Sequence, residues 1–325
     1  MQKRTKYFCL AAVFLGFCYL HNASWLARPP APRLTLLAHR GVHQGSACKN
    51  VERDTCTASC ITVPTHDYLE NTIRSMRAAF DVGAEVVELD VHPTTDGDFA
   101  VFHDWTLECR TNGSGVTRER SMTYLKTLDL GHGYSADGGR TFPFRGKGIG
   151  LIPTLNEVLD TFPEHRLLIN IKSNDPSEGE LLARYLLARP EAQRRRLMVY
   201  GGKWPVDRVL SLVPGLRGLS RESAIACATR YAFVGWSGYL PSACRNTLLI
   251  LPENRARLLW GWPHRFIARM QTVGTDVYVA ASTEGSWLLG IDSEAELERI
   301  AADDYSGGIW TDRIETLGPW IARQR

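Results

Sequence analysis

Short apolar runs of strand length recur along this chain, separated by segments with helical periodicity, and that alternation restricts the fold more than any other feature. Residues 34–38, 86–91, 99–102, 167–171, 197–200, 216–219, 247–251, 277–281 and 308–310 read as strands. Residues 71–80, with Ile73, Met76 and Phe80 on one face, read as an amphipathic helix, and 155–162, 178–187 and 294–302 read as further helices. Strands apolar on both faces, alternating with helices, imply a parallel sheet covered on both sides. Nine candidates for roughly eight strands predict a closed (β/α)8 TIM barrel. A doubly wound open sheet is the alternative, but no Gly-x-Gly-x-x-Gly follows the first strand.

The charged residues of interest fall at the C-terminal ends of these runs: His39, Arg40, Asp90, His103, Lys172 and Asp312. Barrel enzymes build their sites at that rim. Glu88 and Asp90 sit two apart, on the same face of one strand. Paired carboxylates repel each other and persist mainly where a cation binds between them. His39 and His103, each ending a neighbouring run, are placed to act as acid and base on whatever that cation holds.

The N-terminus speaks to location. Lys3, Arg4 and Lys6 precede an uninterrupted apolar segment at 7–20, short for a bilayer span of about 20 residues and suited to a signal peptide core. Residues 1–27 therefore read as a cleaved signal or a retained membrane anchor, 28–33 as a Pro-rich linker and 34–325 as the barrel. Both readings put the barrel outside the cytoplasm, periplasmic or secreted. Six cysteines remain beyond the leader, Cys48, Cys56, Cys60, Cys109, Cys227 and Cys244, an even number that suits disulfides in an oxidising compartment. Their pairing is open, with fifteen possibilities. The formal net charge is only +3, and the basic run Arg194 to Arg196 reads as a solvated helix end, so nothing points to nucleic acid. The sequence carries no signal for oligomeric state.

The ordered set of motifs resembles the glycerophosphodiester phosphodiesterase family. It comprises His39-Arg40-Gly41, Glu70-Asn71-Thr72, Glu88-x-Asp90, Asp96-Gly97, His103-Asp104, Thr111-Asn112-Gly113, Pro153-Thr154-Leu155, Ile171-Lys172 and Thr311-Asp312-Arg313. The resemblance implies a metal-dependent (β/α)8 barrel that hydrolyses glycerophosphodiesters to sn-glycerol 3-phosphate and an alcohol. It implies His39 and His103 as the acid/base pair, Glu88 and Asp90 as ligands of a divalent metal (Ca or Mg), and Arg40 and Lys172 as phosphate-holding cations. Asn71 either binds substrate or caps the following helix. The family's third carboxylate, two residues before the lysine, is Asn170 here. An amide oxygen coordinates a hard cation without neutralising it, so metal affinity is expected to be lower, with Glu70 compensating in part.

The insertion at 42–67 is expected to border the site. His92, on the strand face of Asp90, is expected to support the site through hydrogen bonding. Trp260, Trp262, Trp310 and Trp320 suggest packing or a lipid-lined mouth. Two other functions compete with the first: a lysophospholipase D acting on lysolipids near a membrane, and a non-catalytic binding barrel whose metal site has decayed at Asn170.

Overall fold

A computed structural model describes residues 2–27, 34–48, 51, 55–284, 287–302 and 305–324. The barrel staves are β1 (Thr35–Ala38), β2 (Val86–Pro93), β3 (Arg166–Ile171), β4 (Leu197–Gly201), β5 (Arg217–Ser220), β6 (Leu248–Pro252), β7 (Asp276–Ala280) and β8 (Gly308–Thr311). They pair in parallel in the order β5-β4-β3-β2-β1-β8-β7-β6. The seam between β5 and β6 is bridged by a side chain, the Thr247 hydroxyl donating to the Gly218 carbonyl at 2.5 Å. The result is a nearly closed (β/α)8 barrel, as the alternation of runs predicts.

Helices cover the staves because one face of each is apolar. Helix Ile73–Asp81 starts where the Thr72 hydroxyl accepts the Ser75 N–H, and it buries Met76 and Ala79 completely. Helix Leu155–Thr161 is fixed by a capping box between Thr154 and Glu157. Helix Pro176–Leu187 opens with Asp175 as its cap and proline in the first turn. At the N-terminal mouth of the barrel, Arg166 and Arg217 both pair with Asp276, closing the end away from the site.

The ninth strand candidate is not a stave. Phe99–Val101 runs antiparallel to the end of β2, with Val91 opposite Val101 and His92 opposite Ala100. The turn at Asp96-Gly97, with Gly97 at φ +83°, reverses the chain there. An excursion follows whose own apolar cluster includes Leu107, Leu125, Tyr134, Phe144 and Ile152. His103 thus reaches the site from this excursion rather than from a barrel strand.

The six cysteines form three disulfides: Cys48–Cys60, Cys56–Cys109 and Cys227–Cys244. The second ties the 42–67 insertion to the excursion. Helix Gln2–Asn22 covers the apolar leader, and among the described residues no helix is long and apolar enough to cross a membrane. The proposed linker at 28–33 lies outside the described residues.

Candidate active site

Strand register assembles the site. Asp90 on β2 lies level with Asn170 on β3, which lies level with Tyr200 on β4. All three side chains therefore project to one face at the same height. Glu88 and Asp90 are fully buried. Tyr200 donates to Glu88 Oε1 at 2.5 Å, and the Arg40 backbone N–H donates to Glu88 Oε2 at 3.1 Å. Asp90 accepts from Asn71 Nδ2 at 3.0 Å and Asn170 Nδ2 at 2.8 Å, with Lys172 Nζ 3.3 Å away.

The turn after β1 presents His39 and Arg40. Arg40 has φ +60° and Gly41 φ +78°. A Cβ on Gly41 would meet Ser75 Oγ at 2.3 Å, so the left-handed, close-packed turn requires glycine. Asn71 is also left-handed (φ +58°), and its N–H donates to the Arg40 carbonyl at 3.1 Å. Asn71 thus braces this turn and grips Asp90, while the helix cap falls to Thr72. Left-handed non-glycine residues clustered at one place indicate strain held for function.

Arg40 lies among the acids, with Nη1 3.1 Å from Glu70 and Nε 3.3 Å from Asp90. Its Nε also donates to His39 Nε2 at 3.1 Å. His39 Nδ1 faces Asp312 Oδ1 at 2.5 Å, and its Nε2 is 3.8 Å from Glu88 Oε2. His103 Nδ1 faces Asp104 Oδ1 at 2.6 Å. Its Nε2 is buried with no hydrogen-bond partner. Each imidazole is therefore held by a carboxylate at Nδ1; the Nε2 of His103 has no partner, whereas that of His39 accepts from Arg40. His92 supports His103, with Nε2 3.3 Å from the His103 carbonyl oxygen. The Trp310 ring stands 4.7 Å from that of His39.

The electrostatics follow from burial and these partners. Burial and Asp90 push the Glu88 carboxyl up to about 8. Burial opposes ionisation of Asp90 too, but Lys172, His103 and Arg40 hold it well below the usual carboxylate range. Burial and then Arg40 lower His39. Burial, Arg40 and Lys172 hold His103 well below the ordinary histidine value. Burial also opposes ionisation of Asp312, yet His39 and His43 keep it ionised.

Sequence reasoning missed three residues. Tyr200 carries the hydroxyl on Glu88. Arg110, almost fully buried, bridges Glu70 at 3.3 Å and Asp104 at 3.1 Å, linking the two histidine systems. Asp292 accepts from the Asp312 N–H at 2.7 Å beside the rim. No motif marks these positions, because each depends on what the barrel places opposite.

A cavity of about 550 Å³ opens over His39, Arg40, His103 and Asp312. The insertion walls it with Gln44, Ser46 and Thr62, and Leu288 and Leu289 stand at another side. Glu70, Glu88 and Asp90 offer oxygens in this buried region, and the Glu88–Asp90 repulsion described above is what a bound divalent ion relieves. Their oxygens are of the type a hard cation takes, but Arg40 lies between Glu70 and Asp90, Asn170 turns its Nδ2 to Asp90, and these acids do not converge on one ion position among the described residues.

Comparison with known proteins agrees with this geometry. Residues 64–196 match the profile described as the Glycerophosphoryl diester phosphodiesterase family. A Bacillus subtilis (strain 168) glycerophosphodiester phosphodiesterase is 37% identical over 114 residues, 34% of this chain and 38% of that protein. A Mus musculus lysophospholipase D is 29% identical over 210 residues, 61% of this chain and 56% of that protein. The matched region is 39% and 38% of the length of the first two curated relatives. An Oleispira antarctica phosphodiesterase, solved with its product sn-glycerol-3-phosphate, superposes at a TM-score of 0.55 and 18% identity, covering 90% of this chain and 97% of that one. Residues 64–196 thus match the glycerophosphoryl diester phosphodiesterase family, and the barrel around them has the fold of that solved phosphodiesterase.

Proposed function

We propose that this protein hydrolyses glycerophosphodiesters to sn-glycerol 3-phosphate and an alcohol. The observation that carries the reading is a pair of carboxylate-held imidazoles, His39–Asp312 and His103–Asp104, beside a buried set of acids and phosphate-binding cations. The names of the relatives support it, as does the product seen in the Oleispira structure.

Arg40 and Lys172 receive the phosphodiester anion, Arg40 by a forked contact and Lys172 as a point charge. His39 accepts Arg40 Nε–H at Nε2 and donates Nδ1–H to Asp312. This tautomer puts the basic lone pair on Nε2, where it takes a proton from the nucleophile, a water or a neighbouring substrate hydroxyl, once the Arg40 Nε–H turns from it to the bound phosphate. His103 is kept neutral partly by Arg40 and Lys172. A bound anion offsets those charges, so substrate binding favours protonation of His103, which then donates from Nε2 to the leaving oxygen. Each transfer is worth about 10² to 10⁴-fold. Glu70, Glu88 and Asp90 would hold a divalent ion, calcium or magnesium, once Arg40 turns from them to the phosphate, and that ion would supply Lewis-acid charge there.

The test is release of glycerol 3-phosphate from glycerophosphocholine, with and without chelator, by the wild type and by His39→Ala and His103→Ala. Loss in both variants and in chelator supports the mechanism. Full activity in both variants overturns it. Absence of turnover on every glycerophosphodiester tried leaves the binding-barrel reading instead. Leu288 and Leu289 at the cavity, the latter 40% exposed, favour a second reading in which lysolipids are the substrates. Activity confined to lysolipids would establish it.

The location we infer is extracytoplasmic, at a membrane surface, with the N-terminal helix retained. Three disulfides support export. Buried Arg269 donates to the His21 carbonyl and Asn22 Oδ1, and the His264 N–H donates to Ser24 Oγ, so residues 21–24 pack against helix His264–Thr272. Tyr7, Phe8, Leu10 and Val13 are exposed along the helix, suiting it to lie against lipid. A mature chain beginning beyond residue 27 would refute retention.

A further inference from the structure

One corner of the cavity is electron-rich beyond what the hydrolytic reading uses. His39, His43 and Asp312 each place a donor atom within 4.8 Å of the others. His43 Nδ1 lies 3.0 Å from the Gln44 carbonyl oxygen, an acceptor, so Nδ1 carries the hydrogen. Its Nε2 lone pair then points at Asp312 Oδ1, 3.6 Å away, and finds no hydrogen-bond partner although buried. With His43 neutral, two acceptors face each other there, and against the effect of burial Asp312 accordingly raises the affinity of His43 for a proton. Asp292, bonded to the Asp312 N–H, adds a second carboxylate beside them. Such an arrangement calls for a positive charge between the acceptors, either a proton or a metal ion.

The donor types distinguish this corner from Glu70, Glu88 and Asp90. Two imidazole nitrogens and a carboxylate suit borderline ions such as Zn²⁺ and Co²⁺, whereas all-oxygen sets suit calcium and magnesium. Tetrahedral zinc with ligand bonds of about 2.0–2.1 Å spaces its donors roughly 3.4 Å apart. The His43–Asp312 separation of 3.6 Å already meets that, and the 2.5 Å His39–Asp312 contact needs to open by about an ångström.

We propose that His39, His43 and Asp312 form a second cation site, selective for Zn²⁺-class ions, whose occupation switches off His39 as a base. The ion takes the Nδ1 lone pair of His39, and the proton held there moves through solvent to Nε2. The ring stays neutral, the His39–Asp312 hydrogen bond is replaced by two metal–ligand bonds, and Nε2 changes from acceptor to donor. An N–H at Nε2 cannot take a proton from a nucleophile, and it also faces the Arg40 Nε–H. The inhibitory consequence rests on the phosphodiesterase reading, whereas the site itself does not.

The test is titration of the full-length, chelator-treated protein with Co²⁺, read by the visible absorption of imidazole-ligated cobalt. The wild type should give a saturable band that Zn²⁺ displaces and excess Ca²⁺ does not. Glu88→Gln should keep the band, and His43→Ala and His43→Gln should weaken Co²⁺ binding by about 100-fold or more, the upper end of the effect seen for residues merely supporting a ligand. Circular dichroism and melting checks establish that both variants fold. In turnover assays with Ca²⁺ present, Zn²⁺ should inhibit the wild type at concentrations at least about tenfold below those needed for the His43 variants. No cobalt band, a band unchanged in the His43 variants, or one that Ca²⁺ competes away would overturn the proposal, the first meaning that a proton fills the corner. An intact band with no hydrolysis of any phosphodiester would leave the site standing and remove the hydrolytic reading.

Discussion

Replacing Asp312 with asparagine tests how far His39 depends on its carboxylate. The asparagine keeps the shape and loses the charge, and its amide is free to present N–H rather than oxygen to His39 Nδ1. In the wild type, the 2.5 Å contact fixes the proton on Nδ1 and leaves Nε2 to accept from Arg40. A hydrogen bond to a charged group is worth about 1.5–3 kcal/mol. Loss of orientation alone therefore costs roughly 10- to 150-fold in kcat/KM. If the amide also reverses the tautomer, the proton-transfer contribution goes as well, and the total approaches the roughly 10⁴-fold seen when an aspartate behind a catalytic histidine is neutralised in serine proteases. The assay is glycerol 3-phosphate release from glycerophosphocholine across pH 5–9, about the range in which histidine titrates. The loss should lie mainly in kcat, because Arg40 and Lys172 still hold the anion. A fall of less than about threefold, well below the orientation term, with His39→Ala inactive, would show that Asp312 does not set the imidazole.

Metal affinity should rise with pH and level off above about 8, because burial and Asp90 hold a proton on Glu88 that an incoming ion must displace; calorimetric Kd values that do not change with pH would contradict this. By the same linkage, the folded carboxyl binds its proton more tightly than the unfolded one. The stability it contributes is fully present below its unfolded pKa of about 4.3 and is lost as pH rises through about 8. In chelator, the melting temperature should therefore fall over that window. Asn170→Glu sets a third acid against Asp90, where Asn170 Nδ2 now donates at 2.8 Å; the variant should melt lower in chelator and bind calcium more tightly, and unchanged or weaker affinity sinks the idea. Removing Cys227–Cys244 by paired serine substitution frees a separation of 17 residues and should cost about 3 kcal/mol in denaturant unfolding.

The barrel was legible because staves buried on both faces must be apolar throughout, and such runs stand out even in a single sequence. Helix Glu294–Ala302 occupies the span its periodicity predicts. The run at 99–102 was misleading as a stave because an apolar hairpin arm and an apolar stave have the same composition; only the turn at Asp96-Gly97 separates them. The site's charged residues were legible where they ended a run, as His39, Asp90, Lys172 and Asp312 do. Tyr200 and Arg110 were not, since an aromatic in a strand and a lone arginine in a loop ordinarily serve packing or solvation. Their roles arise from the row Asp90–Asn170–Tyr200 and from the fold of the excursion onto Glu70. Asp292 was obscure for a similar reason: it gains meaning only from the Asp312 N–H it accepts, twenty positions on in the chain.

The two histidines stand on different kinds of support. His39 grows from the rim of a stave, where neighbouring strands fix the backbone, whereas His103 sits on an appendage stitched to the 42–67 insertion by Cys56–Cys109. In a reducing cytosol the stave and its histidine would keep their places while the stitch opened. On the phosphodiesterase reading proposed above, reduction should then lower activity before the barrel itself unfolds, with the pairing of Val101 to β2 and the Phe102 N–H on the Asp90 carbonyl holding the arm beside His103 in part.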